Sequence, residues 1–84
     1  MKIEKKIRKE YFEKIRSGEK KFELRLANWE CRRGDILVLK EIDEKGNYTE
    51  RVLEKEVINV LKTKDVDFFS EADVKKYGYQ IISF

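Results

Sequence analysis

Lys20, Glu23 and Arg25 put an ammonium, a carboxylate and a guanidinium within one short stretch of chain, close enough to address a single ligand. The two cations can give charge-assisted hydrogen bonds to a phosphate, Arg25 through a planar fork and Lys20 as a mobile point charge. Glu23 can orient Arg25 or accept from an exocyclic amine such as that of cytosine. Just downstream, Trp29 shares a polar loop with Arg32 and Arg33, a set suited to stacking an unpaired base while phosphates are held nearby. Each group also has a plainer reading. The charges of 20–25 would be a solvated strand face with a weak Glu-Arg pair, Trp29 a half-buried lid, and Arg32 and Arg33 turn surface.

The elements that must hold these residues follow from the apolar pattern. Ile3 and Ile7 among lysines predict a first strand over 1–7. Tyr11, Phe12 and Ile15 recur at helical spacing and predict a helix over 9–17, closed at Ser17-Gly18 by a left-handed glycine. Phe22, Leu24 and Leu26 then alternate with Lys21, Glu23 and Arg25. That pattern predicts a strand with the apolar side chains buried and the charged ones on the other face. Residues 27–34 break the alternation and end in a Gly34-Asp35 turn. Ile36, Leu37, Val38, Leu39 and Ile42 form a nearly continuous β-prone run, the candidate for the central strand.

Asp43 to Asn47 reads as a hairpin loop, with Gly46 able to take positive φ, returning the chain antiparallel over 48–61. The apolar parity changes between Val52-Leu53 and the run from Val57, which predicts a bulge or bend there. Phe68 and Phe69 are expected to plug an opening in the core, Ser70 to cap a short helix stopping at Tyr77-Gly78, and 79–84 to form a last strand. Five strands and two helices make a mainly β, α+β single domain over 1–84. Short strands with one bent long strand close most readily as a small open barrel.

Composition removes several chemistries. With no histidine and one cysteine, Cys31, the usual zinc sets, a Ser-His-Asp triad and an internal disulfide are excluded, and no metal or other cofactor is expected. Cys31 reads as a small, partly buried loop residue. No apolar run reaches signal-peptide or membrane-spanning length, so a cytoplasmic monomer that does not engage membranes is expected. A charged fraction of 44%, rich in Lys and Glu and without proline, resembles a heat-adapted surface. The net charge of +3 is uneven: residues 1–33 carry 12 Lys or Arg against 6 Glu. A basic half that also holds the Lys20-Glu23-Arg25 stretch points to a polyanionic partner.

The spacing Gly18-x-Lys20-x-x-Glu23-x-Arg25 resembles the G-x-K-x-x-E-x-R signature of ASCH domains, small barrels related to PUA domains. The setting is similar too: Tyr11-Phe12 in a helix upstream, Arg32-x-Gly34-Asp35 opening an apolar strand, and Gly78 before a final apolar strand. The resemblance covers nearly the whole chain. It implies a PUA-like barrel whose first helix lies beside a cleft edged by the signature residues, with Gly18 and Gly34 as structural turns. It also implies RNA or a nucleotide as ligand, single-stranded or carrying a modified base, bound by Lys20, Glu23 and Arg25, beside which the loop residues Trp29, Arg32 and Arg33 are the further candidates.

Some proteins of this kind are amidohydrolases on acylated cytidine or are linked to RNA cleavage, which would make Lys20, with Glu23, catalytic. This chain has Glu23 where the deacylating members have a threonine, and Glu4 or Lys5 where small relatives have a histidine. Binding is therefore the leading expectation and hydrolysis the alternative. A protein-interaction module, from the coactivator homology that names the family, comes third.

Overall fold

The computed structural model describes residues 1–84, and it is built on a sheet of three strands. β1 (Lys2–Arg8) runs directly into helix α1 (Lys9–Arg16); β2 (Ile36–Ile42) and β3 (Tyr48–Glu56) form a hairpin; and α2 (Glu71–Tyr77) follows a single 3-10 turn at Thr63–Asp65. The order is β1-β2-β3, with β1 parallel and β3 antiparallel to β2. The run chosen for its continuous apolar character is thus the central strand. Mixed pairing around it makes the fold α+β and mainly sheet.

α1 crosses one face of the sheet because Phe12 and Ile15 share one side of it. They bury against Ile7 and Leu39, with Leu37 and Leu53 packed at the margin. Phe12 and Leu39 are nearly inaccessible to solvent. The polar edge of this core is tied by Arg51, which pairs with Glu13 of α1 and stands 3.5 Å from Oε2 of the buried Glu41. Thr49 donates to the other Glu41 oxygen at 2.6 Å, while Oε2 is held by charge without a hydrogen bond.

The helix ends as predicted. Gly18 adopts φ +83°, its N–H bonds the Ile15 carbonyl, and the Lys20 N–H bonds the Lys14 carbonyl at 2.9 Å. The hairpin loop is also as predicted: the Lys45 and Asn47 amides both donate to Asp43 Oδ1, and Gly46 takes φ +84°. Ser70 caps α2 by accepting from the Asp73 amide.

Other expectations change. The register slips between Lys40 and Ile42, and Glu50 takes φ +73°, so the irregularity lies at the start of β3 and not between Leu53 and Val57. Residues 22–26 and 79–84 form no regular strand, which leaves an open three-stranded sheet. In 22–26 the predicted burial is reversed. The Glu23 side chain is 14% exposed, whereas Leu24 and Leu26 are exposed at 70% and 79%. A carboxylate can turn inward when cations pair both of its oxygens, and here that pairing decides the orientation. Phe68 and Phe69 are exposed and do not plug the core; they pack on each other with centroids 4.6 Å apart, and Phe69 meets Tyr79 edge-on. No helix is long and apolar enough to cross a membrane.

Candidate functional site

The end of α1 fixes the backbone of Lys20, and from there the chain lies beside β1. Lys20 Nζ donates to Glu23 Oε1 and Arg25 Nε to Glu23 Oε2, both at 2.9 Å. Arg25 reaches further, its Nη2 donating to the Lys6 carbonyl of the edge strand at 2.7 Å. One carboxylate therefore holds an ammonium and a guanidinium side by side, and a backbone carbonyl fixes the plane of the guanidinium. The Lys20 amine also lies over the Tyr11 ring at 4.4 Å and the Phe22 ring at 5.3 Å, so two aromatic faces share its charge.

Lys20, Glu23 and Arg25 line a cleft of about 690 Å³ whose walls include Phe22, Leu26, Trp29, Leu37, Leu39 and Leu61. Its charged lining is Lys20, Lys21, Arg25, Lys55 and Lys62 against Glu23 and Glu56, a positive excess. A concave, largely apolar site with a few convergent polar groups suits a flat organic ligand carrying negative charge. Trp29 is half-buried at this cleft, with Lys5 Nζ 3.9 Å from the centre of its ring.

Of the residues singled out in the sequence, Gly18, Lys20, Glu23, Arg25 and Trp29 come together here, and Arg32 and Arg33 do not line the cleft. The Arg32 backbone is spent on a turn: its amide donates to Asp35 Oδ2 and its carbonyl accepts from the Asp35 amide. Gly34 completes that turn at φ +93° and donates to the Val57 carbonyl. The Arg32 amide is the main reason the Asp35 carboxyl sits below the usual carboxylate range. Cys31 lines the cleft, but burial, with Asp35 nearby, pushes its thiol above the ordinary cysteine value. It is poorly suited to act as a nucleophile at neutral pH.

Several contributors escaped the sequence reading. Lys5 was noted only as standing, with Glu4, where small relatives have a histidine; Tyr11 served to predict the helix, and at 43% exposed it lies at the helix margin and faces Lys20. Lys55 and Lys62 come from the far end of the hairpin, which no local pattern could place. Side chains that could hold a metal ion do not cluster anywhere in the fold.

Together these features define a small α+β domain with an aromatic-edged, cationic cleft lined by the end of its first helix, the 18–31 stretch, the central strand and residues 55–62. The chain matches the family model for DUF3850, a domain of unknown function, over residues 3–83, and belongs to that family. No curated protein and no solved structure matches it.

Proposed function

We propose that this domain binds RNA or a nucleotide in the Lys20-Glu23-Arg25 cleft, as an ASCH-type member of the PUA-like group. The observation that carries the reading is the shared use of Glu23. By bridging Lys20 and Arg25 it sets two phosphate donors at a fixed separation at an apolar cleft edged by Trp29. Both Glu23 oxygens are occupied, so its role is to orient the cations and not to read a base. A volume near 690 Å³ suits a nucleotide, not a duplex.

The barrel is part of the same proposal. Ile81, Ile82 and Phe84, with Leu24 and Leu26, keep an apolar character that a closed sheet would bury. The radius of gyration is 14.7 Å, against about 12 Å for a compact chain of this length. Closure of 22–26 and 79–84 onto the sheet would bury these side chains and bring the radius towards the compact value.

Hydrolysis with Lys20 as the catalytic group is less well supported, because its amine is engaged by Glu23 and two ring faces, contacts that suit a charged donor more than a nucleophile. Fluorescence anisotropy with a single-stranded RNA at several salt concentrations tests the binding reading. One phosphate held jointly by Lys20 and Arg25 contributes about 0.7 to the log-log salt slope. No binding at low salt would refute polymer binding. Lys20→Arg should retain affinity, and neither protein should deacylate acetylated cytidine or cut RNA; turnover in the parent that is lost in Lys20→Arg would put the hydrolase first.

A further inference from the structure

On the sheet face opposite α1, the parallel register places Lys6 of β1 directly beside Lys40 of β2. Like charges facing each other across neighbouring strands destabilise a sheet. Lysines on an edge strand discourage strand addition, which accounts for Lys6. It does not account for Lys40, because β2 is central. Both amines reach the ring of Tyr48 on β3, a residue 57% exposed, with Lys6 Nζ 5.6 Å and Lys40 Nζ 5.8 Å from the ring centre. Glu4 pairs with Lys40 at 3.1 Å and leaves Lys6 without a carboxylate partner. An exposed aromatic ring with two cations beside it, one of them at a cost to the sheet, is a platform on which a base can stack while its phosphate is held.

The platform is linked to the cleft through two consecutive residues. Lys5 and Lys6 project to opposite faces of β1, so the first stands over Trp29 and the second beside Tyr48. Between them Arg25 grips the Lys6 carbonyl at the strand edge. We infer that a single-stranded RNA bound in the cleft continues around the β1 edge, and that a second base stacks on Tyr48 with its phosphate held by Lys6 and Lys40. This extends the proposed RNA-binding reading by giving it a second subsite. The edge to be crossed is about 10 Å thick, within reach of a chain of about four nucleotides, the lower limit for a small nucleic-acid-binding barrel.

The test compares uridine monophosphate with an octanucleotide of uridine on the full chain, in parent, Tyr48→Ala, Tyr48→Phe, Lys6→Gln/Lys40→Gln and Arg25→Ala. Tyr48→Ala should weaken the octanucleotide about tenfold and leave the mononucleotide unchanged, while Tyr48→Phe binds both like the parent. The lysine pair variant, which gives up one phosphate contact, should lower the octanucleotide salt slope by about 0.7. An unchanged octanucleotide affinity in Tyr48→Ala, with Arg25→Ala weakened, overturns the second subsite and leaves the cleft reading standing. The reverse pattern overturns the cleft reading and keeps the Tyr48 surface. Heparin binding that equals RNA binding and ignores Tyr48→Ala would reduce the surface to a polyanion patch and overturn the inference.

Discussion

Replacing Glu23 by Gln separates an orienting carboxylate from an unwanted one, because the two roles predict opposite signs for ligand binding. A phosphate held by Lys20 and Arg25 would lie close to the Glu23 carboxylate. At a separation of about 4 Å, removing that repulsion would favour an anion by about 1 kcal/mol in a watery setting and about 4 kcal/mol in a partly buried one. Charge alone therefore predicts tighter binding. The geometry predicts the opposite, since both 2.9 Å bonds that fix the cations end on Glu23. Without them Lys20 relaxes onto Tyr11 and Phe22, and Arg25 keeps only the Lys6 carbonyl.

We expect Glu23→Gln to bind single-stranded RNA about tenfold more weakly although its net charge rises by one. Stability should fall as well. Hydrogen bonds to charged groups contribute about 1.5–3 kcal/mol each; the amide replaces part of one, and Arg25, with 30% of its side chain exposed, keeps some hydration. A loss of about 2 kcal/mol, or about 8–16 °C in Tm for a domain of this size, follows. Anisotropy and thermal circular dichroism on one preparation measure both. Tighter binding by Glu23→Gln would refute the orienting role.

Arg25→Lys keeps the charge but loses the fork shared between Glu23 and the Lys6 carbonyl, so it should bind about as weakly as Arg25→Ala in the anisotropy assay; parental affinity would mean that only charge matters. Arg51→Ala leaves the Glu41 carboxylate buried with Thr49 as its remaining partner, and denaturant unfolding should show a loss of about 2–3 kcal/mol, partly recovered by adding Glu41→Gln. Asp35 has its pKa depressed by the Arg32 amide, so its stabilisation is present above the unfolded value of about 3.9 and is lost as pH falls through the lower folded value. Thermal melts from neutral to acid pH should therefore show Asp35→Asn losing less stability than the parent on the acid side.

How far the sequence carried the fold depends on whether a signal was local. Helix closure at Ser17-Gly18, the Asp43–Asn47 loop and the Ser70 cap are decided by side chains within a few residues, and all three were legible. The central position of β2 was legible as well, because only a strand flanked on both sides tolerates an apolar run such as 36–39. The inward turn of Glu23 was not, since alternation weighs hydrophobicity and cannot see that Lys20 and Arg25 arrive from either side to pair both oxygens. Arg51 bridging Glu13 and Glu41 joins residues far apart in the chain and leaves no periodic trace. Lys20, Glu23, Arg25 and Trp29, grouped by residue type and spacing, do line one cleft. Arg32 and Arg33, grouped with them by nearness in sequence, do not line it, and the Arg32 backbone is held in the Asp35 turn.

Trp29 is the chain's single tryptophan and stands at the cleft, so its emission reports occupancy of the proposed site without a label. Titrating uridine monophosphate at low salt should quench that emission saturably. The midpoint should move to higher ligand concentration as salt is added, and the quench should be lost in Arg25→Ala. Emission that is unchanged at low salt, or quenched equally in Arg25→Ala, would contradict nucleotide binding in the Lys20-Glu23-Arg25 cleft.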